Sequence, residues 1–223
     1  MNGKKLIAPA LLAAVALSAA VASLAIAEPS KDDAKPAAAA AAAAPEMKLP
    51  PGWTEADMRA CAIAATPGKM HEHLATGVGV WQGKSTMWMP GVPEPTKSDC
   101  TMTISALMDG RYFKGEMAGE MPGMGPYNGM GIMGFDNVSQ KFVANWLDNH
   151  STGIMNGTGE LSSDGKSINW KYEHNCPITK KPTVMRQIET NEGENRKTLE
   201  MFGADPKTGK EFKMMRIEMT RNS

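Results

Sequence analysis

Ten short segments of alternating polarity, set one after another between residues 78 and 221, constrain this chain more than any other feature. They fall at 78–89, 99–107, 111–120, 127–135, 140–148, 153–161, 166–175, 183–191, 196–203 and 210–221. In 166–175, Ile168, Trp170, Tyr172 and His174 share one face, and Asn169, Lys171 and Glu173 share the other. In 140–148, Phe142, Ala144 and Trp146 oppose Lys141 and Asn145; in 196–203, Leu199 and Met201 oppose Thr198 and Glu200. A period of two is a strand with one buried and one wet face. Asp109-Gly110 marks a tight hairpin, and Asp136-Asn137, Asp164-Gly165 and Lys207-Thr208-Gly209 mark further turns. Links this short make an antiparallel meander. So many twisted strands curl and close, which removes the exposed edges. The expected fold is all-β, an antiparallel up-and-down barrel of about ten strands, with an open sandwich as the second choice.

The N-terminal quarter belongs to other classes. Lys4 and Lys5, the apolar run Leu6 to Ile26 and the small-residue site Ala25-Ile26-Ala27 form a secretory signal over 1–27, with cleavage expected after Ala27. A retained anchor is the competing reading of that run. Residues 28–52 include eight consecutive alanines between Pro36 and Pro45 and read as a disordered Ala/Pro-rich linker. The remainder, 53–223, suits a single barrel domain with a short helical lead-in over 53–76. Thr54-x-x-Asp57 is a capping-box variant. Thr66-Pro67 reads as the cap and first position of a second helix ending near Gly77. Export places the protein in the periplasm or outside the cell. With 24 basic and 24 acidic residues and no basic block, nothing favours nucleic acid or, after signal cleavage, a membrane surface. No motif sets an oligomeric state.

The domain also carries an ordered set of short motifs: Trp81-x-Gly83, Asp109-Gly110-Arg111-Tyr112-Phe113 and Gly129-x-Gly131-x-x-Gly134-Phe135-Asp136-Asn137. Trp146-x-Asp148, Ser151-Thr152-Gly153, Gly209-Lys210-Glu211-Phe212-Lys213-Met214-Met215 and Thr220-Arg221 follow. Over roughly residues 70 to 221 this set resembles the bacterial domain-of-unknown-function family 1579 (DUF1579). The resemblance implies a lipocalin-like, calycin-type barrel and supplies no catalytic residues. Cys176-Pro177 departs from the acidic residue expected before that proline, so a disulfide there would be peculiar to this branch.

Methionine is the unusual component, at 19 residues. Five fall in GEMAGEMPGMGPYNGMGIMG, residues 115–134. Thioethers bind copper(I), fill irregular apolar space and absorb oxidants. The spacing is not a repeated M-x-M or M-x-x-M array. Packing or pocket lining is therefore the first reading, and copper(I) on the loop residues Met121 and Met124 the alternative. His71 and His73 lie two apart on a helix and face different sides. Cys61, Cys100 and Cys176 are disulfide candidates of open pairing. Meander parity puts Cys100 and Cys176 at one barrel end, and Cys61 joins them if the lead-in helix plugs that end.

Gly129-x-Gly131-x-x-Gly134 matches a dinucleotide fingerprint in letters but opens no helix, which that chemistry needs. No G-x-S-x-G or H-E-x-x-H occurs. The leading expectation is a non-enzymatic barrel binding a small apolar ligand. Trp81, Met130, Trp146, Trp170, Tyr172 and Leu199 are the wall candidates, and His174 and Arg186 the polar contacts. Periplasmic copper(I) or oxidant handling comes second. An enzyme comes third, because no nucleophile–base pair can be placed.

Overall fold

Thr54 and Asp57 close into a full capping box at the start of α1 (Glu55–Ala65). The Thr54 hydroxyl accepts from the Asp57 N–H at 3.2 Å, and the Asp57 carboxylate accepts from the Thr54 N–H at 2.8 Å. The structure, a computed structural model, describes residues 49–222. The expected signal over 1–27, and the expected linker as far as residue 48, lie outside these residues. α1 buries no residue. Its C-terminal turn is held instead by Asn137, whose side-chain amide donates to the carbonyls of Ile63 at 3.0 Å and Thr66 at 2.8 Å. Thr66 is thus the C-cap of α1 and not the N-cap expected for the next helix. α2 (Lys69–Ala75) starts from Gly68, whose N–H donates to His71 Nδ1 at 3.1 Å. Pro67 separates the two helices because it cannot continue the first one's hydrogen bonds.

Ten strands follow: β1 (Gly79–Met87), β2 (Thr96–Leu107), β3 (Tyr112–Met121), β4 (Gly125–Asp136), β5 (Lys141–Asp148), β6 (Met155–Leu161), β7 (Ser167–Asn175), β8 (Pro182–Asn191), β9 (Arg196–Ala204) and β10 (Glu211–Arg221). Each pairs antiparallel with its sequence neighbour, and β1 also pairs with β10, so the sheet is a closed barrel. The turns use the expected chemistry. Met108, Asp109 and Gly110 take positive φ between β2 and β3. The Asp136 carboxylate accepts from the N–H groups of Val138 and Ser139 between β4 and β5.

Alternation then divides each strand. Trp170 and Tyr172 of β7 are buried, while Asn169, Lys171 and Glu173 are exposed. Aromatic bulk is offset by glycine across the ladder: Gly159 pairs with Trp170 and Gly157 with Tyr172. A Cβ at Gly159 would stand 2.8 Å from the Trp170 ring, and one at Gly157 2.6 Å from the Tyr172 ring. Gly131 is tighter still, because a Cβ there would overlap the Asn145 carbonyl. At that point the β4–β5 ladder lapses between Met130 and Met133, and Asn145 Oδ1 accepts the Ile132 N–H at 3.0 Å in its place.

One end of the barrel is sealed. α2 packs on β3 and β4 and covers the end where the even-numbered strands finish. His71 meets the Phe135 ring edge-on at 6.1 Å, and His73 lies 6.2 Å from the Phe142 ring. Both histidines therefore face the barrel floor, a correction to the expectation that they diverge. Trp81 fills the floor beneath them, with Nε1 donating to the Gly77 carbonyl at 2.9 Å. Arg221, near the chain's end, lies 4.2 Å over the Trp81 ring. Its guanidinium donates to the carbonyls of Thr76 at 2.6 Å and Glu194 at 3.1 Å, and to that of Val78. One side chain thus ties β10 to the end of α2, to the start of β1 and to the β8–β9 turn.

Hydrogen bonds from a charged donor contribute about 1.5–3 kcal/mol each, and a cation over an indole adds about 1 kcal/mol. Arg221→Ala should therefore lower unfolding free energy by about 2–4 kcal/mol. Arg221→Lys should recover only part of this, because an ammonium lacks the planar fork. Urea denaturation reads both, and wild-type midpoints for the two variants would refute the clamp.

Candidate functional site

With the floor closed, inward side chains from the upper strands enclose a cavity of about 260 Å³. It lies just below the usual range of about 300–1,000 Å³ for small-molecule sites. Methionine is the most frequent residue of its wall. Met87, Met102, Met117, Met121 and Met133 line it from β1 to β4. Met155, Met185, Met201, Met214 and Met215 line it from β6 and β8 to β10. The last two are consecutive, which strict alternation forbids. The β9–β10 register shifts between Lys213 and Met215, and this bulge turns both methionines toward the cavity.

Of the expected wall residues, Trp146, Trp170, Tyr172 and Leu199 line the cavity. Trp81 is inside the barrel but belongs to the floor, below the cavity. Met130 is corrected: it is exposed on the outer face of β4 between the inward Gly129 and Gly131. Arg186 is likewise corrected. It lies on the outer face of β8, where it forms a two-point ion pair with Glu211 at 2.9 and 3.0 Å and covers the Phe202 ring at 4.5 Å. His174 keeps the inward register of β7, partly buried, with a buried Nδ1 that has no partner, but it is not among the cavity-lining residues.

The two loop methionines part company. Met121 lines the cavity mouth, whereas Met124 sits on the β3–β4 turn, 62% exposed. The three cysteines are free thiols. Cys100 faces the cavity, and Cys176 lies in the β7–β8 turn at the open end. Cys61 is on α1 at the opposite, sealed end, so it cannot join them. Burial raises the Cys100 thiol pKa, while hydrogen bonding from Thr179 lowers that of Cys176. Among the described residues, no cluster of three or more His, Cys, Asp or Glu side chains could hold a metal ion.

Several lining residues were not anticipated from the sequence. At the mouth, Tyr127 accepts a hydrogen bond from Trp146 Nε1 at 2.9 Å and stacks on His150 at 5.8 Å. Burial pushes the Tyr127 hydroxyl up to about 12, against the pull of Trp146, so it stays neutral. At the deep end, Lys197 is only 2% exposed. Its ammonium lies 3.3 Å from Glu189 and 4.7 Å over the Trp81 ring. Gln187, also buried, is the neighbour of Trp170 across the β7–β8 ladder. The cavity is therefore an apolar shaft with a buried ion pair at its deep end and polar groups, Glu120, Tyr127, Asp148 and His150, around its mouth.

A family model described as "Protein of unknown function (DUF1579)" matches residues 66–221. No curated protein matches the chain significantly. Among solved structures, the S-type phycobiliprotein lyase CPES from Guillardia theta superposes with a TM-score of 0.52 at 6% identity. The match covers 73% of this chain and 97% of that one. At that identity the likeness is one of fold.

The floor carries a pH dependence. His73 titrates near 6.5 when unfolded, and burial lowers it in the fold, with the Glu189 charge opposing. Near the open end, burial lowers His174 on β7 in the same direction. The folded state therefore binds these protons later than the unfolded chain. The loss of stability begins as pH falls through 6.5 and is complete below the folded values. The thermal midpoint should drop between about pH 7.5 and 5, and His73→Gln should flatten that slope. A midpoint constant across this window in the wild type would contradict the assignment.

Proposed function

Because the chain belongs to the DUF1579 family, whose description assigns no activity, we propose its function from the cavity: it is an exported barrel that binds a small, largely apolar ligand. The observation that carries this is the concentration of methionines on the inner wall of a chamber sealed at one end. Thioether side chains are flexible and polarisable, so they conform to apolar ligands of differing outline. A protein needing only a stable core would fill this space, since empty apolar volume is destabilising. Trp146, Trp170, Tyr172 and Leu199 provide the wall contacts in this reading. Export rests on the N-terminal signal pattern, and intact mass of periplasmically expressed protein should correspond to a chain beginning at Glu28.

Copper(I) binding is the second reading, favoured by the Cys100 thiol and several thioethers facing one cavity. Met121 would take part and the exposed Met124 would not. Met121→Leu should then weaken copper(I) in a competition titration while Met124→Leu leaves it unchanged.

The primary reading predicts that the neutral dye N-phenyl-1-naphthylamine binds with a fluorescence rise at one site per chain. Ala144→Phe, which puts a ring into the cavity, should weaken it by about tenfold or more, since apolar filling of this size is equivalent to about 1.5–3 kcal/mol. Far-ultraviolet circular dichroism confirms that the variant is folded. A folded wild type that binds neither this dye nor other neutral apolar probes would remove the proposal.

A further inference from the structure

The deep end of the cavity is out of character with its walls, and this reveals more about the ligand. A buried ion pair seldom stabilises a fold more than apolar residues of the same volume. Yet Lys197 and Glu189 project from β9 and β8 into the chamber at its floor, beside the buried amide of Gln187. Lys197 has three N–H groups and one carboxylate oxygen at 3.3 Å, which leaves donors free. Trp170, 2% exposed and lining the same cavity, has an indole N–H that is buried without a partner. A buried donor left unmatched costs about 1–3 kcal/mol, so an acceptor arriving from the cavity side would recover it. The mouth is at the other end, among Met87, Met121, His150 and Met214. A ligand whose polar end meets these deep groups must therefore enter with that end first.

The sign of that polar end follows from charge balance. Lys197 is already neutralised by Glu189. No further cation lines the cavity at this end: the Arg221 guanidinium, over the Trp81 ring, is held by backbone carbonyls and is not among the lining residues, burial disfavours the charged form of His73, and burial with the Glu189 charge holds Tyr172 as a neutral hydroxyl. A carboxylate head would place a second negative charge beside Glu189 in a dry site, which is heavily penalised. A hydroxyl or carbonyl oxygen adds none. It can accept from Lys197 and Trp170, and a hydroxyl can also donate to Glu189 or Gln187.

We propose that the ligand is an apolar molecule with one neutral oxygen head, an alcohol or a ketone, which seats head-first against Lys197, Glu189 and Trp170 at the floor of the barrel. This rests on the binding-barrel reading, and it excludes fatty acids as the preferred class.

Displacement of N-phenyl-1-naphthylamine by decane, decanol, decanone and decanoate at neutral pH tests it, in the wild type, in Trp170→Phe and in Lys197→Met paired with Glu189→Leu. Trp170→Phe removes the N–H and preserves an aromatic ring. The paired change removes both charges without stranding one. Decanol and decanone should bind about tenfold or more tighter than decane, and decanoate should bind more weakly than decanol. In both variants the decanol-to-decane ratio should fall toward one. A merely structural role for these residues would shift all four probes together and leave the ratio intact, which would overturn the proposal. So would equal binding of decane and decanol, or decanoate binding tightest. If the dye and all four probes fail to bind, the barrel reading itself fails, and this inference with it. If Lys197→Met/Glu189→Leu does not fold, the Trp170→Phe ratio decides alone.

Discussion

The Trp81–Arg221 contact makes the interior of this barrel a chamber with a single mouth. A closed sheet has no edges, but it has two ends, and each end exposes inward apolar side chains unless something covers them. Here the last strand returns beside the first and delivers Arg221 over the Trp81 ring, and the cavity-lining Lys197 lies over the same ring. The guanidinium then fixes the Thr76 carbonyl that ends α2, so the short helix is held across the opening by an element far away in sequence. Leu74 and His71 are buried as a result. The cavity, its polar floor and its single entrance all follow from that closure.

Above the floor, composition becomes a packing solution. Glycines stand opposite the large aromatics on neighbouring strands, at Gly157 against Tyr172 and Gly159 against Trp170. The rings can then lie along the wall instead of projecting across the chamber. Methionine supplies the rest of the lining. Its unbranched side chain can withdraw or extend, so the walls are apolar without being fixed in outline. The richness of the sequence in these two residue types is thereby one feature: glycine makes room at the wall, and methionine adjusts what room remains.

The strand series was legible because period-two alternation and Asp/Gly turn chemistry are local signals. The capping box at Thr54 was legible for the same reason. Several features depended on information the local pattern lacks. In β4 both faces carry apolar residues, Met130 and Ile132 outside and Met133 and Phe135 inside, so parity could not be read and Met130 was misplaced. In β8 the pattern is inverted. Val184, Arg186 and Ile188 share the outer face, while Met185, Gln187 and Glu189 line the cavity. Polar residues inside make such a strand read backwards, and Arg186 then falls on the wrong face. Lys197 was within reach, since it shares the phase of Leu199 and Met201 on β9. The bulge at Met214 and the end covered by α2 are tertiary outcomes that no local period encodes.

The account turns on a division between inner-wall and outer-surface methionines, and that division can be observed directly. Methyl carbon-13 labelling of methionine, with resonances assigned by single Met→Leu changes, gives one signal for each side chain. On titration with decanol, signals of Met102, Met117, Met133, Met185 and Met201 on the cavity wall should move together and saturate. Those of the exposed Met89, Met108, Met124 and Met130 should stay in place. Shifts confined to the exposed set, or equal movement of both sets, would contradict a ligand chamber inside this barrel.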